Sequence, residues 1–313
     1  MKVAAYPVIR SMGSYLIPKK HFRRPGSGGT FSSEYCYSVW LRHLVCLINS
    51  GLLAKTEDLN TVVEIGPGDS FGIGIAALYT GASNYIALDI IKHAKNELNL
   101  QMNRELLNYF IERRDIPHGG QFKDTKPDLS GYSFPVDFLN YNSLYYKQRY
   151  KEIHGVLNGS LNSRVTIKYL VPWHDLQCNT ISDVDLVFSQ AVMEQVADID
   201  LAYKKMYSFL KSEGIMSHEI DFKSHEMTRD WNGHWFINEP VWNFLLHGRK
   251  YPINRLPLSA HISAIEKTGF TIKKVVLVQK INKYKDLTPT VKDVVFTDGD
   301  LITSSALIQA MKE

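Results

Sequence analysis

A glycine-rich turn between two apolar runs constrains the fold of this chain more than any other feature. Thr61–Ile65 is an apolar run of strand length, and Gly66 and Gly68 follow it directly. Gly72–Tyr79 then has a helical pattern, and Asn84–Leu88 is a second apolar run. Glycine adopts the positive φ of a tight turn and lets a ligand approach the backbone closely. This order predicts a right-handed β–α–β unit with a ligand site at the turn.

The same alternation continues toward the C-terminus. Further strands are predicted at Val165–Val171, Val184–Ser189 and Ile215–Ile220, and further helices at Val192–Leu210 and Leu258–Lys267. Two last strands, Thr271–Lys280 and Ile302–Met311, have no helix between them. Strands separated by helices form parallel sheets. We therefore predict an α/β fold, a doubly wound, mostly parallel, seven-stranded Rossmann-like sheet with a C-terminal antiparallel hairpin.

Two parts of the chain depart from this rhythm. Residues 1–58 are predicted as a basic N-terminal arm followed by a capping helix at Glu34–Ser50, where apolar residues recur at helical spacing. Residues 59–313 form the main domain. It carries an inserted lid at about residues 100–164, a polar, tyrosine-rich stretch that is helical at Leu98–Arg113. The arm contains a cluster of basic residues, Arg10, Lys19, Lys20, His21, Arg23 and Arg24.

Composition narrows the setting of the protein. The 313 residues carry a formal charge of +4, which is too small to indicate nucleic-acid binding. Three unpaired cysteines, Cys36, Cys46 and Cys178, suit a reducing compartment. No apolar run approaches the roughly 18–20 residues of a membrane span. We expect a cytoplasmic protein whose basic arm is either a solvated leader or a weak membrane-surface contact.

The turn also discriminates between nucleotide cofactors. The dinucleotide fingerprint places a third glycine three residues after the second, where this chain has Phe71. Asp69 puts negative charge where a pyrophosphate would bind, and it suits a cationic sulfonium and ammonium group better. Asp89 ends the second strand, where a carboxylate accepts hydrogen bonds from ribose hydroxyls. Charge complementarity therefore favours S-adenosyl-L-methionine over NAD(P).

Three motifs in order resemble those of class I S-adenosylmethionine-dependent methyltransferases. Glu64-Ile65-Gly66-Pro67-Gly68 resembles their motif I, 185–194 resembles the fourth strand and following helix, and 210–216 resembles the turn into the fifth strand. The similarity covers roughly residues 60–95 and 165–313, and it extends to bacterial enzymes of surface-polysaccharide pathways. Ser70 stands where a third glycine is common, and Ser212-Glu213 replaces Pro-Gly.

The resemblance implies a set of cofactor contacts. Residues of the first turn would line the methionine end, Asp89 would hold the ribose, residues after the third strand would contact adenine, and residues ending the fourth strand would lie beside the methyl group. In chain order the expected cofactor-binding residues are Glu64, Gly66, Gly68, Asp69, Ser70, Asp89, Trp173, Asp175, Ser189 and Gln190.

The fifth strand and the residues after it supply candidates for acid–base chemistry. We expect His218 or His225 to act as general base with Asp221 as its orienter, and His234 lies in the same stretch. The histidine spacings of seven and nine match no zinc pattern, so no metal is expected. Trp231, Trp235 and Arg255 suit a small-molecule or glycan acceptor, neutral or anionic.

Three other functions remain open at this stage. An NAD(P)-dependent oxidoreductase would share the architecture, although Phe71 and Asp69 disfavour it. A non-catalytic cofactor-binding scaffold would tolerate loss of the glycine turn. A tRNA or protein methyltransferase would need a strong basic face or an Asn-Pro-Pro-Tyr-like loop. This chain reads Ser189-Gln190-Ala191-Val192 at that place, which favours oxygen as the methylated atom.

Overall fold

A seven-stranded sheet forms the centre of the molecule, with strand order β3-β2-β1-β4-β5-β7-β6. The computed structural model describes residues 29–122, 125–177, 180–247, 249 and 251–313. The strands are β1 (Thr61–Ile65), β2 (Asn84–Leu88), β3 (Thr166–Leu170), β4 (Val184–Gln190), β5 (Leu210–Asp221), β6 (Phe270–Gln279) and β7 (Thr303–Lys312). Strands β1 to β5 pair in parallel, and β7 pairs antiparallel with both β5 and β6. The predicted doubly wound sheet and its closing hairpin are confirmed.

Helices cover both faces of this sheet. They are α1 (Ser33–Asn49), α2 (Gly72–Tyr79), α3 (Asn96–Ile111), α4 (Ser143–Leu157), α5 (Ile199–Phe209), α6 (Glu239–Leu246) and α7 (Leu258–Thr268). The first four pack on one face with Val62 and Phe188. Helices α5 and α7 pack on the other face with Val63 and Val187. Neighbouring strand residues thus point to opposite faces, as the pleat of a strand requires.

Helix α1 is fixed to the sheet by a buried aromatic residue. Trp40 donates from Nε1 to Thr80 Oγ1 at 2.8 Å, and its ring meets Phe188 edge-on with centroids 5.5 Å apart. Burying an indole while satisfying its N–H stabilises the fold by both apolar burial and hydrogen bonding. The helix begins where Ser32 Oγ accepts the N–H of Tyr35. The predicted capping helix therefore packs directly on the main domain.

The predicted insertion contributes two helices to the core and a segment that contacts the end of β4. Helices α3 and α4 bury Phe110 and Tyr146, whose rings stack with centroids 5.5 Å apart. Between them, the Lys126 carbonyl accepts a hydrogen bond from Gln190 Nε2 at the end of β4. Helix α4, which the sequence analysis did not predict, begins at Asn142, whose side chain accepts the N–H of Tyr145.

One predicted helix is wrong in its extent. Residues Val192–Leu210 do not form one helix, because Met193–Gln195 is a single 3-10 turn and α5 starts only at Ile199. Asp198 caps α5 by accepting the N–H of Leu201 at 2.8 Å. Leu210 already belongs to β5, which pairs with Val184 before a register shift.

Several sequence-based expectations lie outside the described residues or are untested by them. The basic cluster between Arg10 and Arg24, and Cys178, lie outside the described ranges. Within those ranges, no helix combines the length and apolar character that crossing a bilayer requires. The same residues also contain no group of three or more potential ligands arranged to hold a metal ion.

Candidate functional site

The glycine turn has the backbone geometry that the sequence predicts. Gly66 and Gly68 have φ of +73° and +71°, a left-handed conformation that other residues adopt at a cost. A Cβ on Gly66 would lie only 2.6 Å from Val192 Cγ2, so the loop after β4 packs against the turn. The Gly66 N–H donates to the Leu88 carbonyl at 2.8 Å, which ties the turn to the end of β2.

The residues before α1 hold the turn from the other side. Thr30 accepts the N–H of Asp69 on its Oγ1 at 2.9 Å, and its carbonyl accepts from Ser70 Oγ at 2.5 Å. Ser70 Oγ also accepts the N–H of Gly72 at 3.1 Å, in the first turn of α2. The side chain of Ser70 is therefore fully buried and points toward Thr30.

The acidic residues around the turn differ in environment. Glu64 is buried beneath α2, where it accepts a 2.6 Å hydrogen bond from Tyr85. Burial raises the pKa of Glu64 to about 8, and the charge of Asp89 adds to that effect. Asp89 sits at the end of β2, with Oδ1 accepting the N–H of Ile90 at 2.7 Å. Asp89 thus lies at the C-terminal end of β2, whereas the carboxyl group of Glu64 faces the core.

The expected adenine contacts are divided between core and solvent. Trp173 is buried in the core beneath α5, and its backbone N–H donates to the Asp89 carbonyl at 2.9 Å. Asp175 is 70% exposed at its side chain and lies 3.3 Å from His174 Nε2. The backbone of Trp173 thus borders the Asp89 region.

At the end of β4, the two expected residues point to opposite faces. Ser189 Oγ and His218 Nδ1 form a buried 2.8 Å hydrogen bond. Gln190 points toward α1, where its Nε2 donates to Glu219 Oε2 at 3.1 Å and its Oε1 lies 3.1 Å from His43 Nε2.

His218 and Asp221 are not brought together. His218 is fully buried, and burial lowers its pKa to about 3, with His43 and His261 adding to the shift. Its ring stands 6.1 Å, centroid to centroid, from that of Tyr203 on α5. These surroundings fit a structural histidine.

Asp221 is paired instead with His225 at the C-terminal end of β5. Their Oδ2 and Nε2 atoms are 3.6 Å apart, and the same nitrogen is 3.8 Å from Glu194 Oε1. Burial alone would raise the pKa of Asp221, but His225 and Lys223 outweigh it and hold that pKa below its usual value. Asp221 is therefore an ionised carboxylate beside an imidazole, an arrangement suited to proton transfer.

Glu194 adds a buried carboxyl to this pair. It is 3% exposed, and neither of its oxygens has a hydrogen-bond partner among the described residues. Burial and the charges of Asp221 and Glu219 raise the pKa of Glu194 well above its usual value. An unsatisfied buried polar group costs about 1–3 kcal/mol.

His234 and Arg255 complete the same region. Arg255 donates from Nη2 to the Ile237 carbonyl at 2.7 Å and lies 3.2 Å from Glu239. Burial lowers the pKa of His234 well below its usual value, and Arg255 and His225 nearby reinforce the effect. The structure thus groups His225, His234 and Arg255 with Asp221.

The two tryptophans predicted to meet substrate have different exposures. Trp231 is half-buried and donates from Nε1 to the Ile281 carbonyl at 3.0 Å. Trp235 is fully buried against Phe296, and its ring centroid is 4.9 Å from that of His234. Trp235 therefore forms the wall behind His234.

A contact between the loop after β2 and the chain after β5 was not predicted. Tyr251 Oη is hydrogen-bonded to His93 Nε2. The negative charges of Asp89 and Asp69 help to raise the pKa of Tyr251, after burial as the main cause. Tyr251, from the chain after β5, is therefore close enough to Asp89 and Asp69 to feel their charges.

Glu194 and Tyr35 were also not predicted as candidate site residues. Glu194 appears in the sequence only as the last residue of a strand-and-helix motif. Tyr35 lies in the first turn of α1, where burial and the charges of Glu219, Glu64 and Glu194 raise its pKa. No local signal marks either residue, since only the fold brings α1 and the β4 loop together.

The chain has no match among protein-family models or curated protein sequences. Solved structures with a similar arrangement include a protein from Listeria monocytogenes assigned as an S-adenosylmethionine-dependent methyltransferase. It shares 16% identity and a TM-score of 0.42, with 90% of this chain and 100% of that one covered. An S-adenosylmethionine-dependent methyltransferase from Methanosarcina mazei shares 10% identity and a TM-score of 0.42, with 85% and 96% covered.

A third structure is phosphoethanolamine N-methyltransferase 2 from Haemonchus contortus, in complex with S-adenosyl-L-methionine. It shares 14% identity and a TM-score of 0.41, and the match covers 87% of this chain and 52% of that one.

Proposed function

We propose that this chain is an S-adenosylmethionine-dependent methyltransferase that methylates an oxygen atom. The observation that carries the proposal is the left-handed glycine turn, with Asp69 and Asp89 beside it. Because β1, β4 and β5 are adjacent and parallel, their C-terminal ends bring this turn to the same edge as Asp221 and His225.

The residues around the turn fit this cofactor. A Cβ on Gly66 would collide with Val192, so a side chain there would displace either the turn or the loop after β4. Asp69 offers negative charge to the sulfonium and ammonium groups, and it would repel a pyrophosphate. Asp89 is held by the Ile90 N–H in a place where it can accept from the ribose hydroxyls. Glu64 is not proposed as a cofactor contact, because its carboxyl group is bonded to Tyr85.

The chain's own task is then to align the acceptor and remove its proton. S-adenosylmethionine, when bound, supplies a methyl group already activated by its attachment to a sulfonium. The His225 imidazole would accept the proton of the acceptor hydroxyl as its oxygen takes the methyl group, and the cofactor would leave as a neutral thioether. Asp221 stabilises the imidazolium that results.

We propose a sugar or glycan-type acceptor, as surface-polysaccharide biosynthesis would supply. The His234 ring lies against the rings of Trp235 and Trp242, with centroids 4.9 and 6.3 Å away. The Arg255 guanidinium carbon lies 4.8 Å from the centroid of the Trp242 ring. Aromatic walls with interspersed polar groups suit the mixed apolar and hydroxylated surfaces of sugars.

Calorimetry tests the cofactor assignment. We expect S-adenosylmethionine and S-adenosylhomocysteine to bind in the micromolar range and NADPH not to bind. Asp89→Asn should weaken S-adenosylhomocysteine binding roughly 10- to 100-fold, because a charged acceptor is lost. Asp58→Asn, which changes an exposed carboxylate, is the matched control and should bind normally. Tight NADPH binding, or an unaffected Asp89→Asn variant, would contradict the assignment.

Methyl transfer from labelled cofactor to a glycan acceptor tests the base. Asp221→Asn and His225→Gln should each lower kcat about 100-fold or more while leaving S-adenosylhomocysteine affinity unchanged. His174→Gln changes an exposed histidine and serves as the control. Undiminished turnover in His225→Gln would remove that residue from the mechanism.

A further inference from the structure

A second feature of the site bears on what the acceptor is. We call Glu194, Asp221, His225, His234 and Arg255 the acceptor pocket. His225 Nε2 lies within 3.8 Å of a carboxyl oxygen of both Glu194 and Asp221, and the charges of Arg255, His225 and Asp221 act on the His234 ring.

Several buried atoms of the acceptor pocket have no hydrogen-bond partner among the described residues. They are Glu194 Oε1 and Oε2, His225 Nε2, His234 Nδ1 and Arg255 Nε. Such groups are normally satisfied by protein, water or ligand. Their concentration in one place, beside the proposed base, indicates a site built for a polar ligand.

These atoms include both donors and acceptors. Arg255 Nε–H can only donate. Glu194 contributes two carboxyl oxygens, and His234 Nδ1 donates or accepts according to the tautomer of its ring. An ammonium group carries only donors, and a carboxylate or phosphate only acceptors. A hydroxyl group donates and accepts, so paired hydroxyls satisfy this mixture where either ion would not.

The charges of the acceptor pocket are already balanced. Asp221 lies 3.2 Å from Lys223 Nζ, and Arg255 lies 3.2 Å from Glu239. Burial and the neighbouring charges of Asp221 and Glu219 raise the pKa of Glu194 well above its usual value, which favours the neutral form of its carboxyl group. A charged acceptor group would therefore enter without a compensating partner, and it would lose its hydration.

We infer that Glu194 determines acceptor specificity by binding paired hydroxyls of an uncharged polyol, as on a neutral sugar ring. The inference rests on the proposed function and deepens it, since it excludes uronic acid, phosphorylated and amino sugars at this position. Glu194 acts here as a hydrogen-bond donor through one oxygen and an acceptor through the other.

Ligand-observed NMR on the full chain saturated with S-adenosylhomocysteine tests the inference. The probes are the methyl α-glycosides of glucose, galactose and mannose, methyl glucuronide and glucosamine. We expect at least one neutral glycoside to bind with a millimolar Kd and both charged probes to bind at least tenfold more weakly. Stronger binding of the glucuronide or of glucosamine, or binding of none of the probes, would overturn the inference.

Two substitutions of Glu194 sharpen the test. Glu194→Gln keeps a neutral group that both donates and accepts, so the affinity for the neutral glycoside should stay within about threefold. Glu194→Leu has similar volume but no polar atom, so affinity should fall at least tenfold. Glu266→Leu, on the exposed face of α7, is the control and should bind normally. Equal affinity in Glu194→Leu and the control would overturn the role of Glu194.

The same samples separate this inference from the proposed function. A calorimetric titration of each variant with S-adenosylhomocysteine reports the cofactor site alone, and circular dichroism reports folding. If S-adenosylhomocysteine fails to bind, the proposed function fails, and the glycoside series is repeated on the free protein. If the cofactor product binds but neutral glycosides show no preference, only the inference fails.

Discussion

The sharpest test of the glycine turn is Gly66→Ala, because the chain contains its own control. Gly66 has φ of +73°, and a methyl group there would lie 2.6 Å from Val192 Cγ2 and 3.0 Å from Cγ1. Gly51 has nearly the same φ, +71°, yet a methyl group there would have no atom within 4 Å from any residue other than its two chain neighbours. Gly51→Ala therefore reports the backbone cost without the steric conflict.

The two variants should differ by a predictable amount. A left-handed alanine costs about 1–2 kcal/mol in either place. Overpacking against Val192 adds about 1–3 kcal/mol at Gly66. We thus expect the free energy of unfolding to fall by about 1–2 kcal/mol in Gly51→Ala and by about 2–5 kcal/mol in Gly66→Ala. S-adenosylhomocysteine should bind at least tenfold more weakly to Gly66→Ala and normally to Gly51→Ala.

Denaturant unfolding and calorimetry measure the two effects separately. Adding Val192→Ala to Gly66→Ala removes the steric conflict but leaves the backbone strain. A double-mutant cycle should therefore recover about 1–3 kcal/mol as a favourable interaction between the substitutions. Equal destabilisation of the Gly66→Ala and Gly51→Ala variants, with unchanged ligand affinity in both, would refute the reasoning.

Three further predictions concern buried and bridging residues. Since the pKa of Glu64 is about 8 in the folded chain and near 4.5 when unfolded, its contribution makes stability fall as pH rises between those values. Glu64→Gln should reduce that decline by up to about 1.4 kcal/mol per pH unit, and an unchanged slope in unfolding curves would refute burial as the cause. His218→Ala should lower the free energy of unfolding by about 2–4 kcal/mol through lost packing and the lost Ser189 contact, while S-adenosylhomocysteine affinity stays the same. Tyr251→Phe removes the bond to His93 and should speed S-adenosylhomocysteine dissociation about fivefold in stopped-flow fluorescence, and an unaltered rate would exclude Tyr251 from the cofactor site.

The sheet could be predicted from sequence because its signals are local. Thr61–Ile65, Asn84–Leu88 and Gly72–Tyr79 are found at the residues where the patterns placed them. Apolar runs of strand length, bounded by glycine, encode both the element and its burial. The closing hairpin follows equally from two strand patterns with no helix between them.

The acid–base residues were harder to predict. Which of them meet depends on the alternation of side chains along β5 and on rare backbone conformations after it. His218 and Asp221 are three residues apart in β5 and so point to opposite faces. His225 returns to Asp221 because His225 and Glu226 have φ of +46° and +65°. Non-glycine residues seldom adopt such values, and no sequence pattern announces them. The position of Glu194 is set by the 3-10 turn at Met193–Gln195, which the structure has in place of the start of the predicted helix.

The bond between Tyr251 and His93 has a thermodynamic consequence. It joins the loop that follows β2, close to Asp89, to the chain segment that supplies Arg255. If cofactor binding moves Tyr251, the free energy of that movement changes the affinity for the acceptor. Acceptor binding then changes the affinity for the cofactor by the same factor. One phenol would then couple the affinities of the two substrates, with no separate regulatory site.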